Sequence, residues 1–315
     1  MALLFIVDPL DSLKAYKDTS VTMMRAAQAR GHAVWACEQP SVRWAKAKVS
    51  ADARRISLTD NDEDWYRGHE SAERALAQFD AVLMRKDPPF DLEYVTTTWL
   101  LSAAVREGAR VFNAPDAVRD HNEKLAIAEF TRFAPLTLVT REASQLQAFI
   151  EEQRDTVLKR LDTMGGENVF RVRTDDPNRN GIVEIMCQGG ARTVMAQRYI
   201  PEISEGDKRV IVIDGKPVPY CLARIPKAGE LRGNLAAGAR GEAQPITPRQ
   251  REIAEAVGTA TAGRGLLFVG IDVIGDWLTE VNVTSPTCFR EIQDQTGFDV
   301  PGMFLDALEK QLPGR

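Results

Sequence analysis

Short, fully apolar runs alternate with amphipathic segments over the first 120 or so residues, and that alternation restricts the fold more than any other feature. ALLFIVD, Ala2 to Asp8, reads as a buried strand stopped at Asp8-Pro9. TSVTMMRAAQARGH, Thr19 to His32, follows as an amphipathic helix with Gly31 near its end, and AVWACE, Ala33 to Glu38, as a second strand. FDAVLMRKDPPFD, Phe79 to Asp91, is a third strand running into a Pro-Pro loop. The helix LEYVTTTWLLSAAVREG, stopped by Gly108, and a fourth strand, ARVFN, complete the series. Strands alternating with helices predict a parallel sheet covered on both faces. Ligands of such sheets sit beyond the carboxyl ends of the strands, where the loop Arg85-Lys86-Asp87-Pro88-Pro89 falls.

After NEKLAIAEF, Asn122 to Phe130, the pattern changes to paired antiparallel strands. RVIVIDGKPVPYCLARI, Arg209 to Ile225, carries Asp214-Gly215, a strong hairpin signal. Helices are predicted in EASQLQAFIEEQR, TPRQREIAEAVGTATA and PGMFLDALEKQL. The segment Pro226–Glu242 holds four glycines (Gly229, Gly233, Gly238, Gly241) and three cationic residues, and a loop of that length is functional or disordered.

Composition removes several classes of function. The 315 residues are 44% hydrophobic and 27% charged, which suits a soluble globular chain of two or three domains. A net charge of -5 leaves no basic surplus for nucleic acid. The N-terminal apolar run is too short for a signal core or a membrane span. Four scattered cysteines without a Cys-x-x-Cys suit a reducing cytosol and give no zinc signature. The three histidines, His32, His69 and His121, have no partner at metal-ligand spacing and read as surface or capping residues. VDPLDS, after the first strand, lacks the Gly-x-Gly-x-x-Gly of a dinucleotide-binding oxidoreductase.

FVGIDVIGDWLTEVNVTSP, Phe268 to Pro286, is the most informative stretch. Read as two strands joined by a three-residue turn centred on Asp276, it sets Asp272 opposite Glu280 and Gly270 opposite Asn282. Asp272, Glu280 and Asn282 then share one face, while Val269, Ile271, Val273, Val281 and Val283 form an apolar set on the other. Like charges directly opposite repel. With no Lys or Arg between them, the acids ask for a cation, and oxygen-only donors point to Mg²⁺ shared with a nucleotide's phosphates. The alternative is a solvated acidic edge that discourages aggregation. Lys124, Lys159 (just before Gly165-Gly166), and the cluster Asp207-Lys208-Arg209 would supply the phosphate side. Taken singly, each lysine also reads as a surface charge and the glycine pair as a plain turn.

The motifs MRKDPPFD, NEKL, LDTMGG…FRV, GDKRV…DGKPVPYCLARIP, RGNLAAG and TEVNVTSPT, in that order, resemble the prokaryotic glutathione synthetase family of the ATP-grasp superfamily, essentially end to end. The resemblance implies an α/β architecture (α+β overall), with an N-terminal parallel-sheet domain over 1–122. ATP-grasp subdomains with antiparallel sheets would occupy 123–315, split into 123–200 and 201–315. It implies ligation of γ-glutamylcysteine to glycine at the expense of ATP, through an acyl phosphate, with Mg²⁺ or else Mn²⁺. By the same resemblance Lys124 and Lys159 bind phosphates, and Met164, Gly165 and Gly166 form a small loop over them. Gln197, Arg198, Tyr199 and Ile200 form the hinge beside adenine. Asp207 and Arg209 belong to the nucleotide and reaction centre, and Asp272, Glu280 and Asn282 to the metal. Pro226–Glu242 becomes a lid whose working cations are Arg232 and Arg240. Arg85, Lys86, Asn234 and Ser285 are the substrate contacts it suggests. A cytoplasmic homotetramer is the expected form. Arg160, Thr163 and Ala239 stand where the family commonly has proline, glycine and glycine. Two other functions fit the residues less well: a different ATP-grasp carboxylate–amine ligase, and a non-catalytic ATP sensor that would have no use for a lid.

Overall fold

The computed structural model describes residues 1–163, 166–227, 233 and 238–312. In chain order it contains β1 (Ala2–Val7), α1 (Thr19–Ala29), β2 (Ala33–Glu38), β3 (Arg43–Ala45), β4 (Lys48–Leu58), β5 (Tyr66–Ala75), β6 (Ala81–Met84), α2 (Leu92–Arg106), β7 (Val111–Phe112) and α3 (Pro115–Asp120). There follow β8 (Thr137–Thr140), α4 (Ala143–Gln153), β9 (Asp155–Arg160), β10 (Val169–Arg173), α5 (Arg179–Cys187) and β11 (Val194–Arg198). Last come β12 (Asp207–Ile213), β13 (Lys216–Ile225), β14 (Arg240–Pro245), α6 (Pro248–Ala262), β15 (Phe268–Ile274), β16 (Trp277–Asn282), α7 (Phe289–Thr296) and α8 (Val300–Gln311).

The expected parallel strands are present as β2-β1-β6-β7. Their apolar side chains are buried on both faces, as in β1, where Leu3, Leu4, Phe5 and Ile6 have no exposure. Aspartates start the flanking helices: Asp18 accepts from Val21 N at 2.8 Å and Asp91 from Tyr94 N at 2.9 Å. The sheet is larger than the alternation predicts, however. β4 joins β2 antiparallel, and β3 and β5 pair with β4. β5 (YRGHESAERA) is polar and mostly exposed, an edge strand without apolar periodicity to betray it.

Two antiparallel sheets follow, β10-β9-β11-β8 and β14-β13-β12-β15-β16. Asp214-Gly215 makes the expected hairpin, both residues at positive φ between Ile213 and its partner Lys216. The chain then returns to its beginning. Phe289 of α7 and Phe304 of α8 stack with Phe268 and share a core with Leu3, Phe5 and Met24. Each such buried ring stabilises the fold by about 1.5–3 kcal/mol. The Asn113 side chain donates to the Phe268 and Val283 carbonyls and accepts from Phe268 N, joining the first sheet to β15 and the segment after β16.

Candidate active site

Two clefts meet in the middle of the molecule. The first lies between the antiparallel sheets, about 890 Å³ including space open to solvent, with Lys159, Gln197, Tyr199, Asp207 and Glu280 among its walls. The second, about 1470 Å³ on the same basis, opens toward the first sheet and takes in Asp8 and Asp87 at the carboxyl ends of β1 and β6. They meet at Lys124, Thr163, Asp272 and Glu280.

The hairpin of β15 and β16 brings the acids to this junction. Asp272 pairs with Glu280 and Gly270 with Asn282, the register expected from the alternation. The turn differs from the expectation. Ile274 pairs with Trp277, so the turn has two residues, and Thr279 is an extra residue that shifts the register between Asp272 and Val273. That bulge restores the shared face which a two-residue turn alone would have destroyed. The opposite face is fully buried, at Val269, Ile271, Val273, Val281 and Val283.

The expectation that the acids lack a cationic partner is overturned. Arg209 grips Asp272 bidentately, with Nε and Nη2 donating to Oδ1 and Oδ2 at 2.5 and 2.9 Å. Arg224 Nη2 lies 2.9 Å from Asp272 Oδ1 and 2.5 Å from Asp207 Oδ2. Lys159 Nζ stands 3.9 Å from Glu280 Oε1. The partners come from neighbouring strands: Arg209 is the register partner of Asp272, and Arg224 of Asp207. A hairpin read alone cannot show them. Gly270 leaves the room this needs, since a Cβ there would sit 2.8 Å from Pro286 Cβ and 3.0 Å from Arg209 Cδ.

These charges are almost out of water: Asp272, Arg224 and Arg209 are 3%, 4% and 6% exposed. Burial pushes the Asp272 carboxyl up, but Arg209 and Arg224 outweigh it and hold the group well below the usual carboxylate range. Asp207 goes the other way. Burial pushes it up to about 6, only partly countered by Arg224. Among the described residues Asp207 Oδ1 and Arg224 Nε are buried without a partner, so the cluster is neutral in sum yet unsaturated in hydrogen bonds there.

The donor set suits a hard cation. Asn282 gives its Nδ2 to the Gly270 carbonyl and to Asp272 Oδ2, at 3.2 and 3.3 Å, which leaves Oδ1 over. Glu280 and Asn282 present oxygen beside Asp272, whose two oxygens already face donors of Arg209, Arg224 and Asn282. Among the described residues no three His, Cys, Asp or Glu side chains assemble on their own, so a cation here needs Asn282 or ligand oxygens to complete its shell.

Lys124 is buried, and its Nζ donates to the Thr163 carbonyl at the stem of the small glycine loop. Gly166 and Gln197 to Ile200 line the first cleft, while Ser285 lines the second. Arg85 and Lys86 line neither. Arg85 is 5% exposed and donates to Ser20 Oγ and the Pro286 carbonyl; Lys86 pairs with Asp8 at 2.8 Å. Arg240, largely exposed, pairs with Glu242 and lines neither cleft. Met164, Gly165, Arg232 and Asn234 lie outside the described residues. Gly233 touches the centre directly: a Cβ there would stand 2.8 Å from the Arg224 carbonyl oxygen and 2.9 Å from Asp207 Cβ. Arg160 ion-pairs with Asp162, and Thr163 Oγ1 donates to the Glu167 carbonyl, so two of the departures from the family pattern brace the loop's stem.

Sequence reading missed two residues. Arg224, inside the quoted CLARIP, shares both buried acids. Glu123, inside NEKL, accepts on one oxygen from Val283 N, Thr284 N and Thr284 Oγ1 at 2.8–3.0 Å. That fastens the Lys124 segment to the end of the carboxylate hairpin. Among the histidines, His121 lies between the Ala117 carbonyl and Arg264, His32 against Glu309, and His69 against Ser57 Oγ. All four cysteines are free and buried.

The family model for the prokaryotic glutathione synthetase N-terminal domain matches residues 1–119, and that for the prokaryotic glutathione synthetase ATP-grasp domain matches 123–297. The glutathione synthetase of Ralstonia nicotianae is 56% identical, covering 98% of this chain and 96% of its own. That of Nitrosomonas europaea is 52% identical, covering 99% and 98%. Among solved structures, D-cycloserine synthetase DcsG superposes with a TM-score of 0.70 at 16% identity, covering 99% of this chain and 100% of its own. A RimK domain ATP-grasp protein from Sphaerobacter thermophilus superposes at 0.64 and 20%, over the whole of both chains. The ATP-grasp ligase PsnB, complexed with minimal precursor, Mg and ADP, superposes at 0.60 and 18%, covering 98% and 97%. These three speak to the fold.

Proposed function

The chain belongs to the prokaryotic glutathione synthetase family, and from that premise we propose that it ligates γ-L-glutamyl-L-cysteine to glycine, releasing ADP and phosphate. The observation that carries the reading is the junction of the two clefts at Lys124, Asp272 and Glu280. A nucleotide in the first cleft and a peptide donor in the second would meet there.

The donor's carboxylate oxygen attacks the γ-phosphorus, the bond to ADP breaks, and an acyl phosphate forms. The glycine amine, having lost a proton, then attacks the acyl carbon, and phosphate leaves from the tetrahedral oxyanion. Lys124 and Lys159 hold phosphate oxygens in line, and the Met164–Gly166 loop covers them. Arg209 spends Nε and Nη2 on Asp272, so its direction is fixed and Nη1 is left for the developing oxyanion. A divalent cation, Mg²⁺ with Mn²⁺ as substitute, would be held by Glu280, Asn282 and Asp272 and would neutralise phosphate charge. Gln197, Arg198, Tyr199 and Ile200 hold the base. Ser285 and Asn234 are assigned to donor binding. Residues Pro226–Glu242, with Arg232 and Arg240, exclude water from the acyl phosphate, and the seat of Gly233 against Arg224 and Asp207 supports that role.

The purified protein with ATP, Mg²⁺, γ-glutamylcysteine and glycine should yield ADP, phosphate and glutathione in equal amounts. Phosphate release that needs no amine, or a strong preference for another amine, sinks the glutathione assignment. A homotetramer is part of the same reading, and sedimentation in solution tests it. No helix among the described residues is long and apolar enough to cross a membrane, and we place the enzyme in the cytoplasm.

A further inference from the structure

The apolar end of the nucleotide cleft contains one buried amide whose orientation is set from outside the cleft. Gln197, on β11, lines the cleft and is 2% exposed. Its register partner on β8 is Thr137, which is not part of the cleft wall. Gln197 Nε2 donates to Thr137 Oγ1 at 3.1 Å, and Thr137 Oγ1 donates to the Pro135 carbonyl at 2.8 Å. A carbonyl oxygen only accepts, and a hydroxyl has one hydrogen to give. With that hydrogen committed to Pro135, the threonine oxygen can only accept, so the amide must turn its nitrogen toward Thr137. The two ends of an amide are nearly alike in shape, and only the hydrogen-bond chain decides between them. Oε1 is therefore the end left for the cleft. The apolar part of the cleft lining is Val157, Val169, Ile200, Ile203 and Ile274, with Tyr199 stacked under the Arg171 guanidinium at 3.5 Å.

We propose that Thr137 is a positioning residue for base selectivity, holding the Gln197 carbonyl oxygen where it accepts from the 6-amino group of adenine and opposes a 6-oxo group. The inference rests on the ATP-dependent ligase reading and adds the chemistry by which the site chooses its purine. A 6-oxo base would set two acceptors face to face in a slot with little water, leaving both unsatisfied. If the amide were free to rotate, Nε2 would meet a 6-oxo group equally well, and the choice would vanish. Selectivity thus depends on a hydroxyl that the nucleotide does not touch.

The test compares kcat/KM for ATP and inosine triphosphate in the ligation assay, because hypoxanthine carries the 6-oxo group without guanine's extra amine. Wild type should favour ATP. Thr137→Ser keeps the hydroxyl and should keep the preference. Thr137→Val keeps the branched shape but removes the hydroxyl, and its ATP:ITP ratio should fall by about tenfold or more, mainly through KM. An active Thr137→Val enzyme with the wild-type ratio overturns the inference while leaving the ligase reading intact. A wild type that turns over neither nucleotide overturns both. Should Thr137→Val fail to fold, calorimetric affinities of the wild type for ADP and IDP decide, and equal affinities overturn the proposal.

Discussion

The two walls of the nucleotide cleft are built on opposite principles. The β8–β11 wall sets Val157 and Val169 beside separate polar groups, Lys159, Arg198, the buried amide of Gln197, and Arg171 stacked on Tyr199. Its residues act separately, so each can be altered with local consequences. The β12–β16 wall carries Asp207 and Asp272, tied by ion pairs to Arg209 and Arg224 on the second-cleft side, and all but Asp207 are nearly removed from solvent. There each charge is tolerable only because the others are present. One wall is a sum of contacts and the other a network, so they should respond differently to the same kind of damage.

The sharpest break is Asp272→Asn, which leaves two buried guanidinium groups facing only Asp207. We expect a loss of about 3–5 kcal/mol of stability and of nearly all turnover, read by urea denaturation and by the ligation assay. Pairing it with Arg209→Met should recover part of that stability, a non-additivity absent from the other wall. A Asp272→Asn protein as stable as wild type would mean the wall is no network.

Next comes Glu280→Gln, at a half-buried position outside the arginine pairs. Turnover should drop by roughly 100-fold or more with the fold intact. Near-normal rates at limiting Mg²⁺ would remove Glu280 from the metal shell. Glu123→Ala should cost about 2–4 kcal/mol by stranding the donors of Val283 and Thr284, while Glu123→Gln, which keeps an accepting oxygen, should recover most of it. Equal losses in the two variants would show that the charge matters and the hydrogen bonds do not. On the β8–β11 wall, Tyr199→Leu should raise KM for ATP several-fold, about 1 kcal/mol, with kcat unchanged.

The smallest effect is expected at Arg160→Ala. Its partner Asp162 is held below the usual carboxylate range by the Arg160 hydrogen bond, against some burial. A depressed folded value means the contribution is present above pH ~4, the unfolded value, and fades as pH falls through the folded one. Because Asp162 is 43% exposed, that contribution is only about 0.2–1 kcal/mol. Wild type and variant should therefore converge in Tm in acid, and a constant gap would sink the assignment.

What the sequence disclosed and what it hid follow one physical division. The alternation of Val269, Ile271 and Val273 with Gly270 and Asp272 encodes an apolar face and a polar one, so the facing of Asp272 and Glu280 was legible. The turn was not, because a three-residue turn and a two-residue turn with a bulge at Thr279 bring the same pair together. Pairings across strands distant in the chain leave no local trace. Arg209 meets Asp272 from 63 positions away, and no periodicity announces it. β5 escaped because an edge strand needs no apolar face. The inward turn of Arg85, which fastens Ser20 and Pro286, left no local trace either, because a charge on a loop reads as exposed.

The packing of α7 and α8 against β1 and α1 carries a consequence for synthesis. Leu3, Phe5 and Met24 are made near the start, whereas Phe289 and Phe304, which complete their core, are made near the end. While the ribosome is still translating the antiparallel sheets, one flank of the earliest sheet has no cover, and its apolar side chains wait in a state prone to sticking. The core around Leu3 and Phe5 is therefore sealed only once residues 289–311 have emerged.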